Sequence, residues 1–493
     1  MKTFNDYLTE HKEIGYILRV NGFIIYVAGL PSVRVGELVI FEDNNIGEVL
    51  SFNDEGIEVM VFSRAPLKAR MRVTRTDRSL TIPVGESLLG MAVDPFGMPL
   101  NSDQYIQEAS ALVPLSNAAW DISRRKRINR PFETGVTLVD LVVPLGRGQR
   151  ELLIGDRKTG KTSFALQAAL LQARAGTICI YAGIGKKKAD IKRIEEYFIK
   201  NNIQKNTIIV ATSSQDPASF IYLTPYAAMA IAEYFRDQGR EVFLILDDLV
   251  THAKFYREIA LLSGTFPGRN SYPADIFYVH SQLLERAGNF ITANGDASIT
   301  AFVVAETAQG DLSGYIQTNI MSMTDGHIFF DIDFFMQGRR PAVNPFLSVT
   351  RVGKQVQEPL RRDINRELNS FFTYAQRLRN FTHFGEEATM TVRRVLEMET
   401  RIIEFFSQPE ALIIPSGFQV FCIALIWQNK WKDVSADMMK KEILELLRIY
   451  EMDEAFRKSV DGLVNSATTL NDLLNKIMKS GLAEARSGTP TVA

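Results

Sequence analysis

Between Tyr16 and about Arg78 the apolar residues fall in short alternating or continuous runs: Tyr16-Ile-Leu-Arg-Val, Phe23-Ile-Ile-Tyr-Val, Glu37-Leu-Val-Ile-Phe, Ile46-Gly-Glu-Val-Leu and Ile57-Glu-Val-Met-Val-Phe. Turn residues separate them (Asn21-Gly22, Gly29, Asp43-Asn-Asn, Asn53-Asp). Short strands at this spacing predict a small sandwich or barrel. Residues 1–14 ahead of it predict a short helix, too brief to be stable alone. Residues 79–150 read as a connector punctuated by Gly and Pro, as in Asp94-Pro-Phe-Gly-Met-Pro99. Its basic run Arg124-Arg-Lys-Arg127 is expected to be a solvated face.

From 151 to about 350 strand-like and helix-like stretches alternate, which predicts a parallel sheet with crossover helices. The strands are expected over 151–154, 177–182, 207–211, 242–246 and 300–305, with a helix over 220–238 between two of them. After about 355 the strands stop. Amphipathic spacing predicts helices over 358–379, 386–406, 415–429, 436–450 and 453–479, followed by a disordered tail from Arg486. The expected division is a β-barrel over 1–78, an α/β domain over 79–355 and a helical domain over 356–493. In fold class this is α/β with flanking β and α domains.

Composition narrows this picture only slightly. A hydrophobic content of 46% and a charged content of 23% over 493 residues are those of an ordinary globular chain. The net charge of −1 argues against a nucleic-acid partner, which usually selects a basic surface. The barrel also lacks the interleaved aromatic and basic residues of a single-strand binder. Both cysteines, Cys179 and Cys422, lie in apolar runs, which suits a reducing compartment and excludes a disulfide framework. The N-terminus has acidic residues and no long apolar core, unlike a secretory or mitochondrial signal. The longest apolar run, 420–427, is far short of the roughly 20 residues of a membrane helix, so any membrane association is expected to run through partners.

The chemistry-bearing stretch is Gly155-Asp-Arg-Lys-Thr-Gly-Lys-Thr162, two glycines bracketing four residues and then Lys161 and Thr162. Residues 151–154 predict a buried strand in front of it, and 163–175 a helix of strong helix formers behind it. Strand, glycine loop and helix are the setting of a phosphate loop. Backbone N–H groups from Gly155, Asp156, Arg157, Lys158, Thr159 and Gly160 face phosphates, and the helix N-terminus adds its positive end. Lys161 is then expected to reach the terminal phosphates of ATP or ADP, and the Thr162 hydroxyl to hold Mg2+. The run Val242-Phe-Leu-Ile-Leu-Asp-Asp248 ends in two carboxylates. Asp247 is expected to orient the magnesium hydration shell, and Asp248 to pack or cap.

Taken together, these motifs resemble the alpha-subunit family of F-type ATP synthases over nearly the whole chain. The phosphate loop is close to the alpha form, as are Pro144-Leu-Gly-Arg-Gly-Gln-Arg150, Tyr272-Pro-Ala-Asp-Ile-Phe-Tyr-Val-His-Ser281 with Leu283-Leu-Glu-Arg286, and Thr318-Asn319 with Thr324-Asp-Gly326. Pro341-Ala-Val-Asn-Pro-Phe-Leu-Ser-Val-Thr-Arg351 is similar to the segment that ends in the family's arginine finger. The resemblance implies a RecA-like phosphate-loop domain between a barrel and a helical bundle. It implies that Phe335, Arg340, Pro341 and Gln408 line an adenine pocket, although Gln408-Pro-Glu410 departs from the usual Gln-Gly-Glu. It gives Arg351 a role at the neighbouring beta subunit's nucleotide, with Ser348 shaping its loop.

In the catalytic subunits a glutamate follows the strand after the loop helix and positions the attacking water. Here that place falls at Lys186, where alpha subunits generally carry glutamine. A lysine supplies no carboxylate to polarise water, so the site is expected to bind Mg-ATP with little or no turnover. The Lys186 ammonium either contacts a phosphate or belongs to a solvated run with Lys187 and Lys188.

The implied partners are beta subunits in an alternating hexamer, the gamma shaft and a delta-containing peripheral stalk. The membrane is reached only through the proton-channel sector, on the cytoplasmic face of a bacterial inner membrane. About fifteen residues precede the first strand, fewer than alpha subunits usually have, which predicts a weakened or differently built stalk attachment. Three other readings stay open: a hexameric nucleic-acid translocase like transcription terminator Rho, a secretion-system ATPase, and an alpha-like paralogue in another rotary assembly. The missing carboxylate counts against the first two, and the net charge against the first.

Overall fold

A computed structural model of the chain describes residues 2–101, 109–382 and 390–482. The start of the helix expected over 386–406 and the tail expected from Arg486 lie outside these residues. The chain forms two units, each assembled from separated stretches: Met1–Arg127, Gly148–Arg157 and Gln172–Asp325 in the first, Ile128–Arg147, Lys158–Leu171 and Gly326–Ala493 in the second.

The first unit opens with the helix Phe4–His11. Thr3 and Asp6 form a reciprocal capping box at its start, and Phe4 and Tyr7 pack with Ile40. The barrel strands follow: β1 Gly15–Asn21, β2 Ile24–Ala28, β3 Glu37–Phe41, β4 Ile46–Asn53, β5 Gly56–Phe62 and β6 Arg72–Ser79. They close in the order β1-β2-β5-β4-β3-β6 around Ile25, Val27, Val39, Phe41, Val59 and Val73. The sixth strand has no apolar run to signal it, because Arg-Val-Thr-Arg-Thr-Asp-Arg-Ser buries mainly Val73 and two threonines. It is held instead by polar ties. Arg75 pairs with Glu37 at 3.0 Å, and Thr76 Oγ1 donates to the Leu38 carbonyl at 2.6 Å.

The same unit carries a parallel sheet in the order Arg150–Asp156, Gly295–Thr307, Val242–Asp247, Ile178–Lys186, Thr207–Ser213 and Ala92–Val93. The central strands are continuous apolar runs because both faces of a parallel sheet are covered, and Phe243 to Leu246 are at most 1% exposed. The strand Gly288–Thr292, unforeseen in the sequence, pairs antiparallel with Gly295–Thr307. It receives the Arg124–Arg127 run, which corrects the expectation of a purely solvated face. Arg125 donates to the Ala287 and Glu285 carbonyls and stacks over Phe290, and Lys126 pairs with Asp296.

Beneath that run lies a buried ion pair. Arg286 Nη2 is 2.6 Å from Glu233 Oε2 and its Nε 3.0 Å from Oε1, while its Nη1 donates to the Leu115 carbonyl at 2.8 Å. The Arg236 guanidinium stacks over Trp120, 3.9 Å from the ring centre.

The second unit is mainly helical: Pro359–Thr382, Met390–Phe406, Ser416–Trp427, Ala436–Met452, Glu454–Ser466 and Leu470–Ser480. The Ser416–Trp427 helix is apolar all round, and every residue from Phe418 to Ile426 is buried, as a central helix requires. The stretch expected as one helix over 453–479 is two. The chain breaks after Ser466, and Thr469 caps the second helix by accepting from the Asp472 amide, a local bond that competes with helix continuation. Asn365 donates to the Leu141 and Val142 carbonyls at 2.7 and 2.9 Å, satisfying the open C-terminal end of the helix Thr137–Val142. No helix among the described residues is long and apolar enough to cross a membrane.

Candidate functional site

The strand Arg150–Asp156 leads into the phosphate loop and the helix Lys161–Arg174 leaves it. Gly160 sits at φ 98°, a conformation that side chains with a Cβ rarely adopt. The Phe164 amide donates to the Gly160 carbonyl at 2.9 Å, so the helical ladder starts at once, with the positive end of the helix on the loop. Thr159 and Lys161 are buried, whereas Arg157 and Lys158 are exposed. Asp156 Oδ1 accepts from Thr307 Oγ1 at 2.6 Å and from the Gly310 amide at 2.8 Å. That carboxylate therefore ties the loop entrance to the turn after the adjacent strand.

The C-terminal ends of two neighbouring strands in the first unit bring Lys186 to Asp247. Gly183 and Asp247 are partners in the parallel register. Lys186 Nζ lies 2.5 Å from Asp247 Oδ1 and 3.7 Å from Asp248 Oδ2. Tyr181 donates its hydroxyl to Asp247 Oδ2 at 2.8 Å. Burial disfavours the ammonium, but Asp247 and Asp248 outweigh it and hold the lysine pKa above its ordinary value. Burial, then Asp247, push the Tyr181 phenol well up, so it stays a donor. Asp248 caps the helix Leu249–Leu262 by accepting from the Thr251 amide at 2.6 Å. Lys186 is thus paired from within the sheet rather than part of a solvated run. Tyr181 had no motif to mark it; its place in an apolar strand reads as core.

This arrangement bears on magnesium. A magnesium ion takes oxygen ligands in near-octahedral geometry. Asp247 is 1% exposed, one oxygen faces an ammonium and the other a phenol. A divalent cation at that carboxylate would have to lie against the lysine charge, so Asp247 does not fit the metal role expected for it. Among the described residues no group of three or more His, Cys, Asp or Glu could hold a metal ion.

In the second unit, Phe335, Arg340, Pro341 and Gln408 lie together. The Arg340 guanidinium covers the Phe335 ring at 3.7 Å and donates to the Phe335 carbonyl at 2.8 Å. The Gln408 amide donates to the Arg340 carbonyl at 2.6 Å, across from Pro341. The Gln408 side chain is engaged by backbone: it accepts from the Thr137 amide at 2.6 Å and donates to the Gly135 carbonyl at 3.0 Å. It therefore acts as a strut of the cluster. A small open pocket lies beside Arg340 and Pro341, lined also by Leu138, Phe334 and Phe372.

Arg351 follows the two-residue strand Val349–Thr350, which pairs antiparallel with Gly326–Phe330. Its side chain is exposed and, among the described residues, makes no ion pair. Ser348 supports this turn: its hydroxyl donates to the Asn344 carbonyl at 2.6 Å and accepts from the Phe329 amide at 3.0 Å. Thr350 Oγ1 donates to the Pro144 carbonyl at 2.8 Å and accepts from the Gly353 amide at 3.0 Å. A Cβ on Gly353 would fall 1.6 Å from the Pro144 oxygen. Gly353→Ala is therefore expected to cost about 1–3 kcal/mol or more by overpacking, read as a lower urea midpoint; an unchanged midpoint would contradict this packing.

Comparison with known proteins identifies the family of the chain. Residues 135–350 match the ATP synthase alpha/beta family, nucleotide-binding domain. The chain is 36% identical to the ATP synthase subunit alpha of Caldanaerobacter subterraneus subsp. tengcongensis, over 92% of this chain and 89% of that one. It is 35% identical to that of Mycoplasmoides gallisepticum, over 93% and 88% of the two chains. With that of Dictyoglomus thermophilum the identity is 39% over 82% and 79%. Such identity across barrel, sheet and helices sets the Rho-like and secretion-system readings aside. The chain belongs to the alpha-subunit family of ATP synthases, with that family's nucleotide-binding domain.

Proposed function

We propose that the chain is a nucleotide-holding, non-catalytic subunit of a proton-translocating ATP synthase that donates Arg351 to the catalytic site of a neighbouring beta subunit. In this reading Gly155 to Gly160 present backbone donors to ATP or ADP, and Lys161 reaches the terminal phosphates. Thr162 keeps its role toward magnesium, while Asp247 leaves the metal site. Phe335, Arg340 and Pro341 face the base, and Gln408 braces them. The partners are beta subunits in an alternating hexamer and the gamma shaft, with a peripheral stalk completing the assembly. The complex reaches the membrane, on the cytoplasmic face of a bacterial inner membrane, through its proton-channel sector.

One observation carries the non-catalytic part. Where a catalytic subunit needs a carboxylate to polarise water, this chain has an ammonium 2.5 Å from Asp247. Lys186→Glu tests it. A glutamate there would replace an attraction with a repulsion beside Asp247 and Asp248, so it would take up a proton or turn away rather than act as a base. ATP turnover of the purified chain is expected to stay at its unsubstituted level. A large gain in turnover would overturn the account of the site.

A further inference from the structure

Asp247 and Asp248 are adjacent carboxylates, 1% and 4% exposed, at the end of one buried strand. Carboxylates packed this closely repel unless a cation or a proton intervenes. In phosphate-loop proteins the cation near such an acid is the magnesium that accompanies the nucleotide. Here a cation is built into the sheet instead. Lys186 closes the adjacent strand, and its ammonium lies 2.5 Å from one carboxylate and 3.7 Å from the other. Its side chain is 19% exposed, too enclosed for water to screen the pair as at a surface. Tyr181 fixes the second Asp247 oxygen at 2.8 Å, which holds the carboxylate in the orientation that meets the lysine.

We infer that the Lys186 ammonium replaces the divalent cation as the charge partner of Asp247, so that this chain holds ATP with only a weak dependence on magnesium. The inference rests on the reading that the chain holds a nucleotide. Magnesium normally gains from two sides at once, the phosphates and the protein acid. With the acid already neutralised from within, its share of that gain is lost, and Thr162 is left as the protein's contact to the ion. Metal-free ATP and Mg-ATP then differ mainly by what the phosphates themselves contribute. Lys186 is in this sense a positioning and charge-compensating residue, and it takes no part in bond breaking.

The experiment is ATP binding to the purified full-length chain by calorimetry, in excess Mg2+ and in excess EDTA. Three proteins are compared: the unsubstituted chain, Lys186→Gln and Lys186→Arg. Glutamine keeps a donor for Asp247 and removes the charge, whereas arginine keeps the charge; a thermal melt of each confirms folding. For the unsubstituted chain and Lys186→Arg, the two Kd values are expected to agree within about threefold, and for Lys186→Gln EDTA is expected to weaken binding by about tenfold or more. A strong magnesium requirement in the unsubstituted chain would overturn the inference while leaving nucleotide binding intact, even if Lys186→Gln fails to fold. So would equal magnesium dependence in all three proteins. No ATP binding under either condition would instead overturn the nucleotide-holding reading itself.

Discussion

Arg351→Ala in the assembled complex is expected to lower ATP turnover by about 10³- to 10⁵-fold, the range of arginine fingers in phosphoryl transfer. The residue is suited to act outside its own chain. It is exposed and, among the described residues, makes no ion pair. Its turn is fixed from behind by the Ser348 and Thr350 hydroxyls. A surface arginine in an ordinary ion pair would contribute at most about 1 kcal/mol and little to rate. The lysine variant is expected to fail nearly as badly, because an ammonium lacks the planar fork that meets two phosphoryl oxygens. Steady-state ATPase assays on assembled complexes check this, with gel filtration to confirm that the substituted chain still assembles. Turnover within a few fold of the unsubstituted complex would remove Arg351 from the reaction.

Glu233→Ala is expected to have the largest effect on stability, about 3–5 kcal/mol, the usual loss when one partner of a buried pair is removed. Glu233 accepts two bonds from Arg286, which is only 2% exposed, and lies 3.8 Å from Arg236, which is 1% exposed. Truncation leaves the buried Arg286 guanidinium short of its counter-charge, whereas Arg236 keeps Asp237 at 2.7 Å. Glu233→Gln, which keeps the shape, is expected to lose less. Urea denaturation followed by far-UV circular dichroism reads both. A loss below about 1 kcal/mol for the alanine variant, the level of an ordinary surface change, would contradict the account.

Much of the architecture was legible because apolar patterning and fold agree where burial is simple. The barrel strands from Ile24 to Phe62 and the central sheet strands follow their apolar runs closely. The sixth barrel strand was not legible, since Arg75 and Thr76 hold it by polar bonds rather than by an apolar face. The break before Thr469 was missed because the helical period continues across it, and only a side-chain cap interrupts the backbone. The basic run at Arg124 misled for a related reason: charge alone does not show that Arg125 has an aromatic ring and two carbonyls to meet. At the site, spacing alone marked the phosphate loop. Nothing in the spacing of Lys186 and Asp247, sixty-one residues apart, revealed that neighbouring parallel strands bring them together. The reach of Gln408 to the backbone of Gly135 and Thr137 was equally invisible, because those contacts span more than 270 residues.

The most direct test of the central claim is ATPase activity of the purified chain, alone and after co-expression with a beta-type subunit. The account predicts activity only when both chains are present. Sustained hydrolysis by this chain alone, at a rate comparable to the complex, would contradict it.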